Sequence, residues 1–203
     1  ALASTVTFPA DENTVTVSVP VLDDAFVEGV QSVIVTLAAG NDYLVGSPAL
    51  ASISLTSNDT GSLWGMGYNA EGQLGDGSTT NRPSPVPVLP EGVVAIAAGG
   101  AHSLSLQADG SLWAMGGNSY GQLGDGTNTD SNVPVEILSS GVVAVAVGFY
   151  HSLVLKDDGS LWAMGYNSHG QLGLGDTTDR NTPVQVLPSG VRAIAAGFHH
   201  SLV

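Results

Sequence analysis

The chain has 203 residues, with 18 acidic side chains against 4 basic ones, a formal net charge of −14 and no cysteine. That balance argues against nucleic acid and anionic lipid as partners, since both need a Lys/Arg footprint. The missing cysteines exclude disulfides, Cys-ligated zinc and thiol catalysis. Hydrophobic residues at 43 % suffice for a packed core, and no apolar stretch reaches the roughly 18–20 residues of a membrane-crossing helix.

Residues 1–59 carry seven acidic residues, no Lys or Arg and only three glycines. Val15, Val17, Val19 and Val21 alternate with Thr14, Thr16, Ser18 and Pro20. Gln31–Leu37 is a β-rich run, and Ser52-Ile53-Ser54-Leu55 alternates again. Antiparallel strands with one wet face give this pattern, so the segment reads as part of a β-sandwich. Composition then changes sharply at the turn-forming run Asn58-Asp59-Thr60-Gly61, which sets a domain boundary at residue 59. The other 24 glycines, all three tryptophans, all five histidines and all four basic residues lie beyond it.

Residues 60–203 are a repeat. Trp64, Trp113 and Trp162 stand 49 residues apart, as do Gln73, Gln122 and Gln171, and His102, His151 and His200. The copies read GSLWGMGYNAEGQLGDG, GSLWAMGGNSYGQLGDG and GSLWAMGYNSHGQLGLG, the last copy truncated. A period near 50 indicates propeller blades. Within a copy, Val86–Leu89, Val142–Val147, His102–Leu106 and Ser111–Met115 have strand length and patterning, giving about four strands per repeat, the content of one blade. Ala108-Asp109-Gly110 and Asp157-Asp158-Gly159 carry the Asp-Gly signal of a tight hairpin. The expected fold is therefore all-β, a partial sandwich followed by three blades in an open arc. The chain begins with Ala1 and stops at Ser201-Leu202-Val203, where the earlier copies run on through SLSLQADG and SLVLKDDG; it reads as a fragment.

Two resemblances follow from these residues. DGSLWAMGYNSHGQLG and GVVAIAAGGAHSLSL make residues 60–203 closely similar to the regulator of chromosome condensation repeat family. The resemblance implies blades of a seven-bladed propeller. Founding members catalyse guanine-nucleotide exchange on a small GTPase, whereas the bacterial members this sequence resembles more look like secreted or surface binding scaffolds, a β-lactamase inhibitor among them. TVTVSVPVLDDAFVEGVQSVIVTLAAG, followed by SISLTSND, makes residues 1–59 resemble the C-terminal half of a Calx-beta motif. That resemblance places Asp23, Asp24, Glu28, Asn58 and Asp59 on Ca2+ ligand positions, while Gln31 and Ser57 stand where carboxylates are usual. Calcium takes six to eight oxygens, several of them anionic; the alternative is a solvated acidic turn.

Each repeated His sits at the same place in its own copy, so His102, His151 and His200 are expected a blade apart, as hydrogen-bonding anchors between strands rather than metal ligands. The tryptophans are expected in the blade core. Asp125, Asn128 and Asp130 are read as turn formers. Nothing supports catalysis: there is no nucleophile elbow, no carboxylate pair in an apolar setting and no Cys. A residue that the blade needs should recur in every copy, so positions that differ are free to serve a partner. Glu71, Tyr120 and His169 share one such register, and Ala101, Tyr150 and His199 another; aromatic side chains on loops are favoured anchors. The alternative at each is unconstrained variation. The equivalent positions should form two rows on a rim, Tyr120 beside His169 and Tyr150 beside His199. The resulting expectation is a non-enzymatic scaffold for protein or surface interaction, exported and bacterial-type, with calcium in its first part. The rival is a guanine-nucleotide-exchange-like regulator.

Overall fold

The computed structural model describes residues 31–36, 50–55 and 60–203. The chain divides between Asp59 and Thr60 into two units. In the first, β1 (Gln31–Thr36) and β2 (Leu50–Leu55) form an antiparallel pair with Gln31 opposite Leu55. The Val15–Val21 run, and the expected calcium ligands Asp23, Asp24, Glu28, Asn58 and Asp59, lie outside the described residues.

The second unit contains strands and turns, with no helix among the described residues. Its strands are β3 (Gly61–Gly67), β4 (Arg82–Ala98), β5 (His102–Gln107), β6 (Leu112–Gly116) and β7 (Ser131–Leu138), followed by β8 (Val142–Val147), β9 (His151–Lys156), β10 (Leu161–Gly165) and β11 (Arg180–Leu187). The short strands β12 (Ala195–Ala196) and β13 (Ser201–Leu202) close the series. Strands β8 to β11 form one antiparallel sheet in sequence order, which is a complete blade. Strands β3 to β7 make a five-stranded sheet because the 17-residue β4 serves twice. It pairs with β3 as far as Val93, opposite Gly61, and with β5 from Val93 onward, opposite Gln107.

Every strand expected from the repeat is present, but the blade count differs. The second half of β4 with β5, β6 and β7 is one whole blade, and β8–β11 is a second. The strands β3 and early β4 supply only the last two strands of a blade, and β12–β13 only the first two. Each sequence copy thus ends one blade and begins the next. The expected hairpins form at the Asp-Gly steps: Gly110 N–H donates to Gln107 O at 3.0 Å, and Asp109 Oδ1 accepts from Ser111 N–H at 2.9 Å.

The core lies between blades. Leu104, Leu106, Leu112, Ala114 and Leu123 of the first blade meet Val142, Val154 and Met164 of the second. Leu153, Leu161, Ala163 and Leu172 repeat the arrangement one blade on, with Val191, Ile194 and Ala196 against them. Burying a side chain of this size fully contributes about 1.5–3 kcal/mol. Fit between blades requires glycine at one recurring position. Gly124 has φ +82°, and a Cβ there would stand 2.6 Å from Met164 Sδ; Gly75 meets Met115 in the same way.

The tryptophan expectation is met in part: Trp162 packs against the core cluster between the blades, whereas Trp64 is exposed. Leu112 and Ala114 are fully buried, and side-chain alternation along β6 turns Trp113 to the other face, where it is half-buried. Its indole N–H donates to Ser111 Oγ at 3.0 Å, as Trp162 does to Ser160 Oγ and Trp64 to Ser62 Oγ. Trp64 is 52 % exposed, and Lys156 Nζ sits 4.5 Å from the centre of the Trp162 ring.

Candidate functional site

The residues that recur in each copy are held in a polar framework. Asn69, Asn118 and Asn167 are fully buried. Asn118 Nδ2 donates to Asp125 Oδ1, Thr127 O and Thr129 O at 3.0–3.1 Å, while its Oδ1 accepts from Leu123 N–H. Its own N–H donates to Asp130 Oδ1 at 2.6 Å. Asn167 N–H uses Asp179 Oδ1 in this role, and Asn69 N–H uses Asn81 Oδ1. The turn-forming reading of Asp125 and Asp130 therefore holds; Asn128 donates to Ser119 O. The repeated Gln clamps the residue two positions before it: Gln73, Gln122 and Gln171 each accept, through Oε1, the N–H of Glu71, Tyr120 and His169 at 3.0–3.1 Å.

The repeated His ties one blade to the next. Ser152 Oγ donates its only hydrogen to Gln122 O at 2.8 Å, so it accepts from His102 Nε2–H at 2.9 Å. Ser201 and His151 repeat the pair at 3.0 Å, with Ser201 Oγ donating to Gln171 O. His102 and His151 are buried, and Nδ1 of each has no partner. A second proton there would be a buried, unpaired donor. Burial, then the neighbouring His151, depresses the His102 pKa to about 3. Burial, then His199 and His200, depresses that of His151 to about 4. These are anchors, as expected, and they act between blades. Among the described residues no group of three His, Cys, Asp or Glu side chains is placed to hold a metal.

Upon this framework the differing positions gather. Tyr120 lies in the loop between β6 and β7, and Tyr150 in the turn between β8 and β9 of the next blade; their ring centres are 5.0 Å apart. His169 and His199 make the equivalent contact one blade on, at 4.8 Å. The two expected rows are therefore not separate. The nearest rings pair across registers, because the β6–β7 loop of one blade lies against the β8–β9 turn of the next. Tyr166 joins the pairs, standing 4.7 Å from Tyr120, 6.0 Å from His169 and 5.9 Å from His199. Phe149 abuts Tyr150 at 4.4 Å and stacks on Phe198 at 4.1 Å, and Phe198 in turn meets His199 at 4.4 Å. The result is one continuous surface of seven rings. Tyr120, Tyr150, Tyr166 and Phe149 are half-buried, and Phe198, His169 and His199 are exposed.

Glu71 belongs to the same register but not to the rings. Ala101 and Gly117 occupy the positions equivalent to Tyr150 and Tyr166, and a Cβ at Gly117 would lie 3.5 Å from Glu71 Cβ. Interaction with Asp130, then burial, raises the Glu71 pKa above the usual carboxylate value. Tyr166, Phe149 and Phe198 were not singled out from sequence. The same comparison between copies marks them, at Tyr68/Gly117/Tyr166 and Gly100/Phe149/Phe198.

A family model of the regulator of chromosome condensation (RCC1) repeat matches residues 60–106, 109–155 and 158–203. A second model of that repeat matches residues 93–122 and 142–171. No curated protein matches the chain. Among solved structures, it is similar to Prp20p from Saccharomyces cerevisiae, described with its binding to Gsp1p and histones: 24 % identity, TM-score 0.55, over 72 % of this chain and 39 % of that one. A second likeness is to yeast RCC1 (Prp20) in complex with Kap60, at 23 % identity and TM-score 0.59, over 74 % of this chain and 39 % of that one. The chain spans well under half the length of these relatives, and at such identity the likeness concerns the fold. With the repeat model matched across three consecutive copies, the chain belongs to the RCC1 repeat family.

Proposed function

We propose that this chain is a non-enzymatic protein-interaction scaffold whose binding face is the ring surface of Tyr120, Phe149, Tyr150, Tyr166, His169, Phe198 and His199. One observation carries the reading: positions released from the repeat pattern converge on a single surface, while recurring positions go into the core and the hydrogen-bonded framework. Rings of this kind bury large area at low entropic cost and serve as anchors, each worth about 2 kcal/mol or more when central to an interface. The solved relatives also engage other proteins, Gsp1p, histones and Kap60 among them. As part of the same reading the chain is exported, and Asp23, Asp24, Glu28, Asn58 and Asp59 bind Ca2+. Calcium should then raise the Tm, and Asp24→Ala should remove that rise.

The test of the scaffold is affinity capture from the native host. Tyr120→Ala with Tyr150→Ala should release the captured partner while the melting transition persists. Unchanged capture by that variant, with loss on altering the opposite end of the sheets at Asp109 or Asp158, would refute the assignment.

A further inference from the structure

The carboxylates around the rings carry information of their own. The loops 69–82, 118–131 and 167–180 hold six of them, Glu71, Asp76, Asp125, Asp130, Asp176 and Asp179, against two arginines, a net of −4. Both arginines are engaged, Arg82 with Asp76 and Arg180 with Asp176 at 2.6 Å. In the middle copy Ser131 replaces the arginine, so Asp125 has no guanidinium beside it.

Asp130 and Asp179 are exposed, and each lies at the base of the ring surface. Asp130 holds the N–H of Asn118, two residues before Tyr120; Asp179 holds that of Asn167, next to Tyr166. In the first copy Asn81 makes the same bond at 2.8 Å without a charge. The framework needs the side-chain oxygen and not the anion. The negative charges at 130 and 179 are therefore surplus to folding, like that of Glu71, which stands at a position that accepts Tyr or His in the other copies. Aromatic faces and unneutralised carboxylates on one surface both attract cations, the rings through their quadrupoles and the carboxylates directly. The rings run from one blade to the next in steps of 4.1–6.0 Å, which suits an extended ligand.

We propose that the occupant of this face is an extended, Arg- or Lys-bearing segment of a partner protein, its cations lying over Tyr120, Tyr150 and Tyr166 and against Glu71, Asp130 and Asp179. The inference rests on the scaffold reading and names the partner's chemistry.

The experiment uses the whole chain and three labelled peptides of equal length: one alternating Arg/Lys with Gly/Ser, its citrulline and acetyl-lysine counterpart, and a Glu version. Binding is followed by fluorescence anisotropy at low and physiological salt. The cationic peptide should bind about tenfold or more tightly than the neutral one, and added salt should weaken it. The triple variant Glu71→Gln, Asp130→Asn, Asp179→Asn keeps the framework oxygens, so its Tm should hold while the preference is lost. Tyr120→Leu with Tyr150→Leu should weaken the same peptide. Glu91→Gln with Asp157→Asn, at the opposite ends of the sheets, should leave it unchanged. Equal binding of cationic and neutral peptides, or equal loss in the opposite-end variant, would overturn the proposal. If capture from the host still depends on Tyr120 and Tyr150 in that case, the scaffold stands and only the basic partner falls.

Discussion

His102 and His151 must stay neutral for their blades to join. Each gives its one N–H to a serine of the next blade and keeps a bare nitrogen where no donor is wanted. In the unfolded chain both titrate near pH 6.5; in the folded chain only near pH 3 and pH 4. Between those limits the unfolded state binds more protons, so stability rises with pH. The contribution is complete above about pH 6.5 and is lost as pH falls toward 4 and then 3. Glu71 acts in the opposite sense, its raised pKa favouring the folded state at low pH. The Tm is expected to fall steadily from pH 7 to pH 4, and His151→Gln to flatten that slope. A Tm independent of pH over this range would contradict the neutral-anchor account.

At the level of strands and turns, the glycines test how blades fit. Gly124 and Gly126 share a φ of +82°, but a Cβ on Gly124 would press on Met164 Sδ, whereas one on Gly126 would meet only Thr182 at 3.8 Å. A left-handed alanine costs about 1–2 kcal/mol, and overpacking adds about 1–3 kcal/mol. Gly124→Ala is therefore expected to lower the urea midpoint clearly more than Gly126→Ala, and equal shifts would count against close blade contact there. Much of this level was legible in the sequence. Strand alternation, the Asp-Gly hairpins and the 49-residue register located every strand of the repeat. The phase of the blades was not legible, because a period is the same wherever counting starts. Only the pairing of β4 on both sides shows where the chain crosses between sheets. The same straddling explains why Tyr120 meets Tyr150 rather than His169. That Trp113 is only half-buried was not legible, because hydrophobicity alone does not tell how far a side chain is covered.

In the repeat unit as a whole, inner blades and end strands differ in what they cover. Met115 and Met164 are at most 1 % exposed, but Met66, their equivalent in β3, is 60 % exposed. Leu104 and Leu153 are 1 % exposed, and Leu202 is 63 %. The central claim is a division of labour, in which recurring residues build the unit and differing residues form its face. The most direct measurement is chemical unfolding of a variant given first-copy residues at the ring positions, Tyr120→Glu, Tyr150→Ala and Tyr166→Gly, beside Asn118→Ala. The first copy shows that the framework accommodates those residues, so the triple variant should lose its ring–ring contacts, about 0.5–1.5 kcal/mol per pair beyond the area they bury, and still unfold in one cooperative transition. Asn118→Ala leaves the buried Leu123 N–H without its acceptor, at about 1–3 kcal/mol, and releases the loop from Asp125, Thr127 O and Thr129 O, so it should broaden the transition. A triple variant that no longer unfolds cooperatively, beside an Asn118→Ala variant that does, would contradict the account.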